Sequence, residues 1–107
     1  MASDALRLEQ SEKYEGDGKN DHWWDWAVWL EGPASDLDQI EYVEYTLHPT
    51  FPKPVRRTYD RETNFRLAIG GWGVFAIHAK AVRKDGSVVP LRHDLSLHYP
   101  DGKMNLA

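Results

Sequence analysis

Five histidines, at positions 22, 48, 78, 93 and 98, are the side chains with which this sequence could hold a metal or move a proton. Their spacing fits no known ligand pattern. There is no cysteine to complete a metal site, form a disulfide or act as a thiol nucleophile. No metal and no cofactor are expected. The sequence also lacks a Gly-x-Ser-x-Gly elbow, a Walker phosphate loop and a His-Glu-x-x-His pair. Gly70-Gly71-Trp72-Gly73 does not open a helix, so it fails the context that a dinucleotide or phosphate loop requires. Glu41 and Glu44 mark the solvent side of a strand, where charged side chains usually form a solvated face. Only His22 and His48 are candidates for a titratable pair in one cavity, and the chain is not expected to be an enzyme.

A set of aromatic residues on loops remains. Phe51 lies in a loop stiffened by Pro49, Pro52 and Pro54, and Trp72 lies among Gly70, Gly71 and Gly73. His22 and Trp23 open a Trp-rich segment. Two readings compete. In the first, Phe51 and Trp72 plug the end of a core, with His48 as a hydrogen-bonded strut. In the second they wall a binding site, with glycines allowing close backbone approach.

The elements that would position these residues all read as strands. Leu6–Gln10 alternates like an edge strand, and 11–20 reads as a polar loop. His22–Glu31 places Trp24, Trp26, Val28 and Leu30 on one face and Trp23, Ala27 and Trp29 on the other. Apolar residues on both faces suggest a central strand. Gly32-Pro33 stops it, and Ala34–Gln39 is a polar link. Ile40–His48 is a second long strand, with Val43, Tyr45 and Leu47 on one face. The prolines exclude a central strand over Pro49–Pro54. After a charged turn at Tyr59–Asn64, strands are expected at Phe65–Ile69, Gly73–Val82, Val88–Leu91 and Leu95–Tyr99. The glycine run would be a turn between two of them. Lys84-Asp85-Gly86-Ser87 is a hairpin signal. No stretch shows a sustained helical period. This pattern predicts an all-β fold, an immunoglobulin-like antiparallel β-sandwich of about eight strands, with a closed barrel as the alternative.

The 107 residues suit a single domain over 1–107 with its core over about 6–99. A net charge of −4 argues against binding a nucleic-acid backbone. No apolar run approaches the ~20 residues of a membrane span, and the N-terminus has no signal-peptide pattern. A cytoplasmic location is expected.

Tyr45-Thr46-Leu47-His48-Pro49-Thr50-Phe51-Pro52-Lys53-Pro54, Phe65-Arg66-Leu67 and Gly71-Trp72-Gly73-Val74-Phe75 occur in that order. With Asp25–Pro33 before them and Asp94–His98 after, they resemble the YEATS domain, most closely its prokaryotic branch. The resemblance runs from about Leu6 to Tyr99. It implies an immunoglobulin-like fold and a non-enzymatic reader of acylated lysine. By motif position, Phe51 and Trp72 would be two aromatic walls around a flat acyl amide. Thr50 would hydrogen-bond the amide, and the Trp72 backbone N–H would donate to the acyl carbonyl. His48 would orient the loop, Phe75 and His22 would line the pocket, and Gly71 and Gly73 would let the ligand reach the backbone. The implied partner is an acylated-lysine peptide or a similar acyl amide. The alternative is a structural or protein-interaction module of a bacterial signalling or defence protein, docking a protein partner without binding acyl-lysine.

Overall fold

A strand that alternates Trp24, Trp26, Val28 and Leu30 can bury one whole face against a core, and all four residues are at most 2% exposed. The computed structural model describes residues 5–15, 23–71 and 73–105. In it, the Trp-rich strand is β2 (Trp24–Glu31), flanked by β1 (Arg7–Tyr14) and β5 (Leu67–Gly71) in one antiparallel sheet. Its other face is covered too, with Ala27 1% exposed and Trp29 half-buried. The central position read from the sequence is therefore the one observed.

The second antiparallel sheet contains β3 (Ile40–Thr46), β4 (Val55–Thr58), β6 (Ala76–Arg83) and β7 (Val88–Asp94), ordered β4-β3-β6-β7. Val43, Tyr45, Ile77, Ala79 and Ala81 turn inward to meet the Trp24–Leu30 face. A bulge between Ile40 and Tyr42 lets both Ile40 and Val43 reach the core while Glu41 stays exposed. The described residues thus form an immunoglobulin-like antiparallel β-sandwich of seven strands. Among them, no helix is long and apolar enough to cross a membrane.

Several boundaries differ from the sequence expectation. The polar segment at 11–14 is not a loop but continues β1, paired with Trp24–Ala27. Its cross-strand hydrogen bonds outweigh its polar composition. Ala34–Leu37 is a short α-helix, begun at Pro33 and anchored by the buried Leu37. Val55–Thr58 is an unanticipated edge strand. Leu95 and Leu97 are buried, but Leu95–Tyr99 is no strand, making only the isolated bridge His98–Met104.

The largest departure is at Phe65. Asn64 and Phe65 both adopt left-handed backbone, with φ of 58° and 59°, a conformation costing ~1–2 kcal/mol per non-glycine residue. The loop is pinned to meet that cost. Phe65 N–H donates to Asp60 O at 2.8 Å, and Leu30 N–H donates to Asn64 O at 2.9 Å. The buried Tyr45 hydroxyl donates to Phe65 O at 2.7 Å. Burial pushes the Tyr45 pKa up, which keeps that donor protonated. Phe65 is buried completely, and β5 therefore begins at Leu67 and runs through Gly70 and Gly71.

A polar clasp closes one seam between the sheets. Gln10 Oε1 accepts from His93 Nε2 at 2.6 Å and from Ser96 N–H at 3.0 Å, while Gln10 Nε2 donates to Ser96 O at 2.7 Å. Glu12 pairs with His98, whose carbonyl accepts from Trp24 Nε1 at 2.8 Å. Burial holds the His93 pKa below its ordinary value, against weaker opposition from Glu9 and Asp94.

Candidate functional site

The β3–β4 loop is built to hold one aromatic ring outward. Leu47 N–H donates to Pro54 O at 2.7 Å across its base, and Phe51 N–H donates to His48 O at 3.0 Å. The Arg56 side chain ties the far side by donating to Pro52 O and Lys53 O at 2.7 and 3.0 Å. Three prolines leave little backbone freedom to lose on folding. Phe51 projects from this frame and is only half-buried.

Its ring meets two others. Phe75 lies 5.4 Å away between ring centroids, tilted by 52°. Trp26 lies 6.5 Å from Phe51, edge to face at 90°, and 5.9 Å from Phe75. His48 packs on Phe75 at 6.1 Å. A cleft of about 410 Å³ opens over this cluster. Six sequence candidates line it: His48, Thr50, Phe51, Gly71, Gly73 and Phe75. The other two, His22 and Trp72, lie outside the described residues.

The cleft also has lining that the sequence reading did not assign. Pro52, Val74 and Gly70 contribute, and so does Trp23, 37% exposed. A Cβ on Gly70 would sit 2.9 Å from Trp23 Cζ2 and 3.0 Å from its Nε1. Gly70 is therefore the bed on which the Trp23 indole lies. The available signal was Trp23 at the open end of a strand with the glycine run across from it. Gly70 and Gly71 were expected in a turn but end β5, opposite Asp25 and Trp24. A second, more open trough of about 710 Å³ runs beside Asp25, Arg66 and Ala68 and meets the cleft at Gly70.

Hydrogen bonding fixes the His48 tautomer. Thr50 N–H donates to His48 Nδ1 at 3.2 Å, so Nδ1 is the unprotonated acceptor and the neutral ring carries its proton on Nε2. The Thr50 hydroxyl, 2.9 Å from the same nitrogen, then donates to it as well. Its oxygen lone pairs are left to accept from an N–H in the cleft. The remaining lining is apolar or glycine backbone. Among the described residues, no group of three or more His, Asp or Glu side chains could hold a metal ion.

A family model described as the prokaryotic YEATS domain matches residues 24–96, from the start of β2 to the Gln10 partner Ser96. The chain belongs to this family. The YEATS domain here is also similar to Protein AF-9 homolog of Saccharomyces cerevisiae (strain ATCC 204508 / S288c), 33% identical over 78 residues. That covers 68% of this chain, which spans only 34% of the relative's length. Among solved structures it is similar to the Yaf9 YEATS domain recognizing an H3K122suc peptide, with TM-score 0.70 and 29% identity, covering 87% of this chain and 74% of that one. It is likewise similar to the Yaf9 YEATS domain bound to H3K27ac, with TM-score 0.69 and 26% identity, covering 94% and 78%.

Proposed function

We propose that this YEATS domain is a non-enzymatic reader that takes the acyl amide of a modified lysine into the Phe51–Phe75 cleft. The observation that carries the reading is the convergence of His48, Thr50, Phe51, Gly71, Gly73 and Phe75 on one opening, with Thr50 Oγ1 left as an acceptor. The similar Yaf9 structures, solved with acylated H3 peptides, support it. Thr50 Oγ1 accepts the amide N–H, and the Phe51 ring covers one face of the flat amide. Trp72 supplies the opposing wall and its backbone N–H bonds the acyl carbonyl. His22 lines the pocket. These last two roles rest on the family motif.

Acylation is what admits the ligand. A free lysine ammonium would lose its hydration in a cleft with no carboxylate among its described lining residues, whereas an amide carries no charge. Stacking contributes ~0.5–1.5 kcal/mol, and each hydrogen bond ~0.5–1.5 kcal/mol. Two stacking faces and two hydrogen bonds sum to about 2–6 kcal/mol, an affinity between tens of millimolar and tens of micromolar. This chemistry reads the modified side chain and asks little of the peptide that carries it.

The test is a titration with acetyl-lysine, crotonyl-lysine and unmodified peptides, followed by backbone amide shifts and Trp fluorescence. Binding is expected for both acylated peptides, with shifts centred on Thr50, Gly71 and Gly73. No shift at millimolar acyl peptide refutes the reading. Phe51→Ala should abolish binding and keep the fold. If it unfolds the protein instead, Phe51 is a core plug and the interaction-module alternative stands.

A further inference from the structure

Open space continues past the cleft. The trough of about 710 Å³ shares Gly70 with it. Asp25 stands directly across from Gly70 in the β2–β5 register, which sets their Cα atoms ~4.5–5.5 Å apart and their side-chain positions on one face of the sheet. The Asp25 carboxylate is exposed and lines the trough, so it lies at the junction of trough and cleft. The exposed Ala68 and Arg66 line the trough beyond it.

Four charged side chains line this trough, and two of them are already engaged. Glu12 pairs with His98. Lys13 is the cation directly across from Asp25 on β1, yet its Nζ turns to Glu15 at 3.3 Å. Among the described residues, Asp25 and Arg66 have no side-chain hydrogen bond or ion pair, with each other or with any neighbour. One anion and one cation are thus left unanswered in a space that opens into the cleft.

We propose that the ligand is an Nε-acyl-lysine in the form of the free amino acid, its acyl amide in the cleft, its α-ammonium on Asp25 and its α-carboxylate on Arg66. The methylenes of the lysine leave the cleft past the Trp23 indole, which lies on Gly70 at the same junction. The small Ala68 leaves room for the α-carbon between the two charged partners. A lysine within a peptide carries amides in place of both charges and leaves Asp25 and Arg66 unpaired. The free acyl-lysine is what remains when acylated proteins are degraded to amino acids. This assignment rests on the reader function proposed above and adds to it the form of the molecule that is read.

The experiment titrates the full chain with four ligands, followed by backbone amide shifts. They are free Nε-crotonyl-lysine, its Nα-acetyl derivative, its α-methylamide, and the derivative carrying both caps. Two exposed ion pairs at ~0.2–1 kcal/mol each predict that the free amino acid binds about 2- to 30-fold tighter than the doubly capped form. That ratio should shrink as salt is raised. Asp25→Asn should remove the loss caused by Nα-acetylation and leave the loss caused by the methylamide. Arg66→Gln should do the reverse. Both side chains are exposed, so both variants should fold. Equal or tighter binding of the doubly capped form overturns the assignment and leaves the reader function standing. Capping losses that persist unchanged in both variants overturn the roles of Asp25 and Arg66. Failure of all four ligands and of acyl peptides to bind overturns both readings.

Discussion

Gly71→Ala separates the fold from the site. A Cβ at Gly71 would stand 3.6 Å from Phe51 Cζ and 3.6 Å from Trp26 Nε1, ordinary van der Waals distances. Gly71 is not among the residues with positive φ, so alanine adopts its backbone without strain. The folded state therefore accepts the methyl, and the unfolded chain loses conformational freedom. The stability change should lie between zero and a gain of ~0.4–1 kcal/mol. Gly71 lines the cleft beside Phe51, so the same methyl takes space at the wall where the proposed ligand would lie. A ligand must then displace it or retreat, and overpacking of this kind costs ~1–3 kcal/mol. Acyl-peptide affinity should fall by roughly 5- to 150-fold. The assays are thermal or urea unfolding of the variant and calorimetric titration with crotonyl-lysine peptide. Undiminished affinity with unchanged stability would show that the ligand does not enter beside Gly71. A stability loss above about 1 kcal/mol would show that the folded protein has no room for the methyl, contrary to these distances.

Gly70→Ala should behave differently from Gly71→Ala, because its Cβ would meet the Trp23 indole at 2.9 Å. The indole must swing away, and Trp23 fluorescence and acyl-peptide affinity should change together. Tyr45→Phe removes the hydroxyl that donates to the buried Phe65 O and should destabilise the domain by ~1–3 kcal/mol in urea unfolding. His93 has a folded pKa lowered by burial, so the unfolded chain binds its proton more readily. Its contribution to stability is fully present above the unfolded value of about 6.5 and is lost as pH falls through the lower folded value. His93→Gln should flatten the fall in melting temperature below pH 6.5.

The sandwich was legible because period-2 patterns in β2 and β3 write their buried faces directly. Trp24-x-Trp26-x-Val28-x-Leu30 and Val43-x-Tyr45-x-Leu47 need no tertiary information to be read. The hairpin at Lys84–Ser87 was legible for a local reason, since Gly86 takes a φ of 90°. The segments misread are those decided by distant partners. Nothing near Phe65 announces a left-handed pair held by Tyr45, Asp60 and Leu30, so the sequence pattern starts the strand two residues early. Ser11–Tyr14 looks like a loop until Trp24–Ala27 is laid beside it. Leu95 and Leu97 alternate like a strand, yet Leu95 N–H goes to Phe75 O. Most of the site was legible because its residues fall within two short motifs. Trp23 is not assigned to it, because its place depends on Gly70 across the strand pair.

That division has a consequence for how the site is held. Phe51 comes from a loop of the four-stranded sheet, Gly70 and Gly71 end a strand of the three-stranded sheet, and Phe75 lies on the connection between them. The width of the cleft is therefore set by the spacing of the two sheets. Trp26 sets that spacing locally, since its indole touches both Phe51 and Phe75 from below. A core residue thus fixes the distance between the walls of the proposed binding cleft, and packing defects near it should be felt as binding defects before they are felt as unfolding. The rigid proline loop cannot compensate by following the sheet, because Arg56 and the Leu47–Pro54 bond tie it to β3 and β4. Stiffness in the loop and closeness of packing beneath it are two halves of one device, which holds an aromatic wall at a fixed height above a glycine floor.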